Sequence, residues 1–345
     1  MRAATVVAIL PGCAERRLTM ALALQDSVLV PVRRVLDAVP PASGAAVMGT
    51  GIISIDLTVD GYETLSRVFL ALTIVLWAGL GLIVAGRVLF DRGRARLEAA
   101  SPASLTGVAG TAVLGARLAL LGWSHVGAAL LAIAFCVWLA LVPRVLGRWT
   151  VPTVGVSFVL VVSTESLAVL AAILAAREDV LWLGVGALAA LALGLAAYLF
   201  VLSRFDLHQL VTGRGDHWVA GGALAIATLA CGRSAEAAQS IEALGSLEDG
   251  LGVAALALWA AAALWLPALV AGEVLAPRFA YDARRWSTVF PVGMYTASSY
   301  VVGQVEGIGG LVDFARVWIW VGFAVWLVVF AALLRRGLAL WRGSV

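Results

Sequence analysis

The sequence predicts an all-α integral membrane protein. Ten transmembrane helices are expected as five helical hairpins in a quasi-fivefold array, with the odd-numbered helices lining a central pore. Three observations carry this expectation. The 345 residues are 62 % hydrophobic and 13 % charged, with mean hydropathy +0.99, whereas soluble domains are about 45–50 % apolar and about a quarter charged. The arginines collect on alternate connecting segments. Small and hydroxyl-bearing residues collect in alternate hydrophobic spans.

A spanning helix needs about 20 predominantly apolar residues. Such stretches follow one another at 43–59, 67–90, 103–121, 124–143, 151–174, 180–203, 217–232, 250–272, 285–304 and 314–335. Turn-forming residues close the odd spans: Asp60-Gly61, Gly122-Trp123, Arg177-Glu178-Asp179, and the glycines between Gly307 and Gly310. The connection from Arg233 to Asp249 is the longest, and no stretch is long enough for a separate soluble domain. Residues 1–40 read as a poorly ordered cytoplasmic arm, 41–336 as the transmembrane domain and 337–345 as a cytoplasmic tail. Within the arm, the apolar run 3–10 before Pro11-Gly12-Cys13 is short for the core of a secretory signal, and proline sits badly near the cleavage point, so a cytoplasmic arm is the expectation.

Charge orients the chain. One set of segments holds Arg16, Arg17, Arg33 and Arg34, then Arg87, Arg92, Arg94 and Arg96, then Arg144 and Arg148, Arg204 and Arg214, Arg278, Arg284 and Arg285, and Arg335, Arg336 and Arg342. The opposite set holds Arg67, Arg177, Arg233 and Arg316 among many acids. The positive-inside rule puts both termini in the cytoplasm of a plasma-membrane protein, which requires an even number of spans. The net charge of +3 is spread over short loops and is no nucleic-acid signature. Cys13, Cys136 and Cys231 are too few and scattered for a disulfide framework or a metal site.

The odd spans are rich in small residues: Gly49, Gly51 and Ser54; Gly110 and Thr111; Ser157 and Thr164; Gly222; and Thr296. These are the candidate pore-lining positions, because small residues let helices approach and hydroxyls can face water. The even spans carry Trp77, Trp138, Trp182, Trp259, Trp265, Trp318, Trp320 and Trp326 among long aliphatic runs, as lipid contact requires. Arg148-Trp149, His217-Trp218 and Arg285-Trp286 each open an odd span, about 68 residues apart, which reads as a repeated hairpin with interfacial anchors. Tight helix packing is the other use of so many small residues.

The most informative stretch runs Arg285-Trp286-Ser287-Thr288-Val289-Phe290-Pro291-Val292-Gly293-Met294-Tyr295. Proline removes a backbone donor and glycine loosens the helix beyond it. In lipid such a weak point is tolerated where it is buried in protein or lines a cavity. Phe290 at this point is either a core residue of a kinked packing helix or a plug, with Pro291 and Gly293 giving it freedom.

Trp286 to Gly293, read as W-x-x-x-F-P-x-G, resembles the ninth helix of the tellurite-resistance/dicarboxylate transporter family. That family takes in the bacterial tellurite-resistance channel homologue, yeast malate permeases and sulfite exporters, and plant slow-type anion channels. Val47-Met48-Gly49-Thr50-Gly51-Ile52-Ile53-Ser54 is similar to its first-helix motif, and the resemblance extends over about 300 residues from Pro41. It implies a homotrimer with a separate pore in each protomer, and a phenylalanine of the ninth helix, here Phe290, occluding that pore. It also implies passage of small anions, C4-dicarboxylates or inorganic oxyanions and halides. A channel is the first expectation, a proton-coupled carrier for dicarboxylate or sulfite the alternative, and a membrane-embedded enzyme the third. Counted from Trp286, Phe290 lies about 6 Å along the axis at 1.5 Å per residue, nearer the cytoplasm than a central gate.

Three charges fall inside spans: Asp56, Arg117 and Glu165. Each costs at least about 2.5–3.5 kcal/mol at mid-bilayer and therefore faces a cavity or a partner. Arg117 and Glu165 lie about sixteen residues past Ser101 and Trp149, at similar depth, and are placed to pair. The pair fixes neighbouring helices, or Arg117 offers positive potential to an anion while Glu165 limits or protonates it. Asp91, Glu98, Asp206, Asp216 and Asp282 are dispersed among arginines, unlike the clustered acids of metal-dependent membrane transferases. No nucleotide-binding loop, thiol pair or histidine cluster is present, so neither cofactor nor metal is expected.

Overall fold

The computed structural model describes residues 39–212, 215–277 and 281–341. Almost all of the expected N-terminal arm, and the last four residues of the expected tail, lie outside them. Among the described residues the helices of thirteen or more residues are α1 (Gly44–Asp56), α2 (Glu63–Phe90), α3 (Thr106–Leu120), α4 (Ser124–Leu146), α5 (Val159–Glu178), α6 (Leu181–Leu202), α7 (Trp218–Ser240), α8 (Glu248–Leu275), α9 (Trp286–Val305) and α10 (Gly309–Trp341). Left-handed backbone reverses the chain after four of them, at Gly61 (φ +76°), Gly122 (+91°), Asp179 (+52°) and Gly307 (+65°). Each lies in a turn that the sequence marks, since glycine, and less readily aspartate, takes this conformation.

Two boundaries differ most from the sequence reading, by about eight residues each. The fifth span, expected from residue 151, becomes α-helical only at Val159. Pro152 cannot donate, and Thr153 pairs in extended form with the chain at 204–206, donating to the Arg204 carbonyl at 2.8 Å and accepting from the Asp206 amide at 3.0 Å. The seventh helix continues to Ser240 where a loop was expected from Arg233. Ala235, Ala237 and Ala238 are buried there, and Arg233 pairs with Glu236 three residues on at 2.7 Å, so packing and an ion pair hold the helix. Pro291 lies inside α9, which is helical on both sides of it.

The odd-numbered helices contact one another in sequence: α1 packs on α3, α3 on α5, α5 on α7, α7 on α9, and α9 returns to α1. Each also packs against the even helix that follows it. Every residue of α5 from Val159 to Ala175 is buried, whereas α2, α4 and α8 bury only a few positions each. Seven segments are long and apolar enough to cross a membrane: Glu63–Phe90, Pro102–Leu120, Ser124–Leu146, Gly155–Glu178, Leu181–Leu202, Glu242–Leu275 and Gly309–Ala339. α1, α7 and α9 fall short of that test. α1 is short, and all three are shielded by other helices, so lipid does not require them to be strongly apolar.

Indole N–H groups on even helices reach hydroxyls on odd ones. Trp77 donates to Thr111 (2.9 Å), Trp138 to Thr164 (3.1 Å), Trp259 to Ser299 (2.8 Å) and Trp326 to Thr50 (3.0 Å). A buried indole N–H needs an acceptor, and these bonds tie the outer helices to the inner ones. Trp218 and Trp286 are buried within the protein, among the helices packed around α7 and α9.

Candidate functional site

The closed ring of odd helices positions one cavity. At the end of the ring where the tight turns lie, a space of about 440 Å³ is lined from all five of its helices: Ile55 and Asp56 of α1, Ala116, Arg117 and Leu120 of α3, Val169 and Ile173 of α5, Leu229 and Arg233 of α7, and Ala297 and Tyr300 of α9. Glu63 at the start of α2 completes its charged wall. Residues seven apart share a helix face, about 10.5 Å apart along the axis. Two turns below Ile55, Ala116, Val169, Leu229 and Ala297 lie Met48, Ala109, Val162, Gly222 and Phe290, all buried. At this level α3 carries the small Ala109, and the space at Gly222 of α7 is taken by the Pro291 ring.

The orientation of α9 follows from its contacts. The Pro291 ring packs on Gly222 of α7, where an added Cβ would lie 2.7 Å from it. Gly293 abuts Ile52 and Asp56 of α1. Trp318 of α10 donates to the Val292 carbonyl at 3.1 Å, which marks the outward side. At about 100° per residue, Phe290, Met294 and Ala297 fall between the α1 and α7 contacts, on the side turned away from α10. Phe290 is 2 % exposed.

The other candidates divide by what they touch. Gly49 lies against Trp286 and Val289, Gly51 against Val113 and Thr73, and Gly110 against Val47, so at these positions the missing side chain lets helices approach. The hydroxyls of Thr111 and Thr164 accept from Trp77 and Trp138, and Ser54 donates to the Ser66 carbonyl of α2 at 2.8 Å. These three hydroxyls engage side chains or carbonyls of outer helices. The Ser157 hydroxyl accepts from the Val154 amide at 3.1 Å at the entry to α5. Thr296 is fully buried and its hydroxyl has no partner.

The expected Arg117–Glu165 pair does not form. Arg117 turns to α2, where one terminal nitrogen (Nη2) donates to both Glu63 oxygens at 2.9 and 3.0 Å and Nε to the Ser66 hydroxyl at 3.0 Å. Glu165 turns to α6, with its carboxyl against Gly194. Similar depth was legible, but the two side chains leave their helices on different faces. Asp56 and Glu165 are both fully buried, and none of their four carboxyl oxygens has a hydrogen-bond partner. Glu63 and Arg233 were missed as site residues because each reads as an ordinary charge at a loop. The signal for Arg233 was its register, four residues after Leu229 on one helix face.

A family model described as voltage-dependent anion channel matches residues 38–334. An uncharacterized membrane protein of Mycobacterium tuberculosis, from strains CDC 1551 / Oshkosh and ATCC 25618 / H37Rv, is 34 % identical over 124 residues. The match takes in 34 % of this chain and 62 % of the length of each relative.

Proposed function

Since the chain belongs to the voltage-dependent anion channel family, a family of membrane anion transporters, we propose that it carries small anions across the plasma membrane through a pore on the axis of its five inner helices. In this reading all ten long helices span the bilayer, as five hairpins in quasi-fivefold array within each protomer of a homotrimer, with both termini cytoplasmic. The observation that carries it is the cavity to which every odd helix contributes, with Phe290 two turns beneath Ala297 on the same face of α9. The cavity is then the outer vestibule and the ring is the plug. An apolar ring across a narrow pore stops ions sterically and by dewetting. C4-dicarboxylates, inorganic oxyanions and halides are the substrate class.

Phe290→Ala in planar bilayers tests the gate. It raises anion conductance well above wild type with trimer yield near wild type, and Phe290→Leu gives an intermediate leak. A core phenylalanine behaves oppositely: truncation costs about 3–5 kcal/mol, so yield falls and no current appears, an outcome that would sink the gate. The buried, unpartnered carboxyls of Asp56 and Glu165 favour a second reading, a proton-coupled carrier. Saturable uptake that collapses with the pH gradient, without single-channel steps, decides for it.

A further inference from the structure

A short helix, Arg92–Glu98, follows α2 on the way to α3. The 28 residues of α2 measure about 40 Å at 1.5 Å per residue, close to the roughly 40–45 Å of a bilayer with its headgroups. Glu63, the first of them, lies in the wall of the outer cavity, so Phe90 and the short helix sit at headgroup depth on the opposite face. Ion pairs and a cap hold the segment there. Glu98 accepts from Arg87 at 2.8 Å and from Arg94 at 2.7 Å, and Asp91 accepts from the Arg94 amide at 3.0 Å. The Arg87 side chain is only 4 % exposed in this arrangement. Both acids of the segment are thereby engaged, while Arg92 and Arg96, one turn apart, are exposed. Leu97 beside them is 61 % exposed, and Leu89 and Phe90 at the end of α2 are 67 and 63 % exposed.

Like charges four residues apart on a helix repel, and large apolar side chains are unfavourable in water. One environment removes both costs, the boundary between the phosphates and the acyl chains of a bilayer. There the apolar side chains enter the acyl edge while guanidinium groups donate to phosphate oxygens. An acidic soluble partner would also meet the arginines. Leu89 and Phe90, however, close a helix that is apolar and mostly exposed along its length, so the patch continues a surface that lipid already covers. A zwitterionic headgroup sets an ammonium beside its phosphate, whereas an anionic headgroup offers the phosphate without that competitor. We propose that residues 92–97 are a docking site for the headgroup of an anionic phospholipid, with Arg92 and Arg96 donating to its phosphate and Leu97 seated in the acyl edge. The site lies outside the ring of inner helices and is independent of what the pore carries.

Hydrogen exchange of the full-length protein in nanodiscs reads this segment directly. Discs of phosphatidylcholine alone are compared with discs in which one lipid in three is phosphatidylglycerol with the same acyl chains. A basic residue near an anionic surface gains a factor of about five, so the amides of residues 92–98 should exchange at least about fivefold more slowly in the anionic discs. The double variant Arg92→Gln/Arg96→Gln changes two exposed side chains and leaves Glu98 both its partners, and it cuts the ratio to less than about twofold. Arg204→Gln, an exposed arginine just beyond α6, leaves the ratio as in the wild type. Leu97→Asn speeds exchange in both kinds of disc, and no change on that substitution overturns its seat in the acyl edge. Equal exchange of the wild type in the two discs overturns the site. An undiminished ratio in the double variant overturns the role of the two arginines, and a ratio lost equally in Arg204→Gln overturns a local site in favour of diffuse attraction. Inorganic phosphate added to the phosphatidylcholine discs leaves these amides unchanged. Protection by phosphate alone would make the ligand a free anion and overturn the lipid assignment.

Discussion

Glu63 and Arg117 are unequal partners, and the inequality is measurable. The Arg117 side chain is 3 % exposed and that of Glu63 is 41 % exposed. Removing Glu63 strands a buried guanidinium, and breaking a buried pair in this way costs about 3–5 kcal/mol. Removing Arg117 leaves a carboxylate that water and Arg67, at 3.0 Å, still solvate. Glu63→Ala therefore lowers the thermal midpoint more than Arg117→Met, by fluorescence-detected unfolding in detergent. The double variant lies closer to Arg117→Met than to Glu63→Ala. Equal losses from the two single variants would show that the pair is not effectively buried.

At the scale of elements, the glycines of the inner helices act through contact. Gly222 touches the rigid Pro291 ring, and an added methyl at 2.7 Å has no room, so Gly222→Ala forces apart α7 and α9 at a cost of about 1–3 kcal/mol. Gly81 on α2 meets nothing within 4 Å, and Gly81→Ala is neutral or slightly stabilising because alanine favours helix. The same unfolding assay compares the two, and a Gly222→Ala protein as stable as wild type would mean the helices separate freely. The indole bonds form a second set of ties. Trp138→Phe loses one hydrogen bond while Thr164 keeps its own to the Leu160 carbonyl at 2.9 Å. Its cost is about 0.5–1.5 kcal/mol, and a loss several times larger would mean that Trp138 packing, not its N–H, holds α4 to α5.

For the whole molecule, the proposal makes topology and assembly testable together. Activity reporters fused at either terminus read cytoplasmic, since the arginines predict that orientation, and mass photometry of the purified protein gives three protomers. A periplasmic signal from one end would require an odd number of crossings and would break the pairing of inner with outer helices. Much of this level is legible in the chain. Asp60-Gly61, Gly122, Asp179 and Gly307 mark reversals because few residues take left-handed backbone cheaply. The contrast between small-residue and bulky helices separates buried from exposed elements because lipid selects side chains on one layer only.

The sequence alone determined that this is a helical membrane protein, where most of its turns fall, and which helices are covered, since each rests on local composition or on one residue's backbone preference. It also carried Phe290, Pro291 and Gly293 by motif. Side-chain direction around each helix was decided only by the tertiary structure. Ser54, Thr111 and Thr164 face outer helices, Arg117 finds Glu63 instead of Glu165, and Asp56 and Arg233 come to one cavity from residues 177 apart in the chain. Depth in the membrane follows from counting residues. Azimuth does not, because it is set by which neighbouring helices a helix contacts, and here those contacts close only when α9 returns to α1.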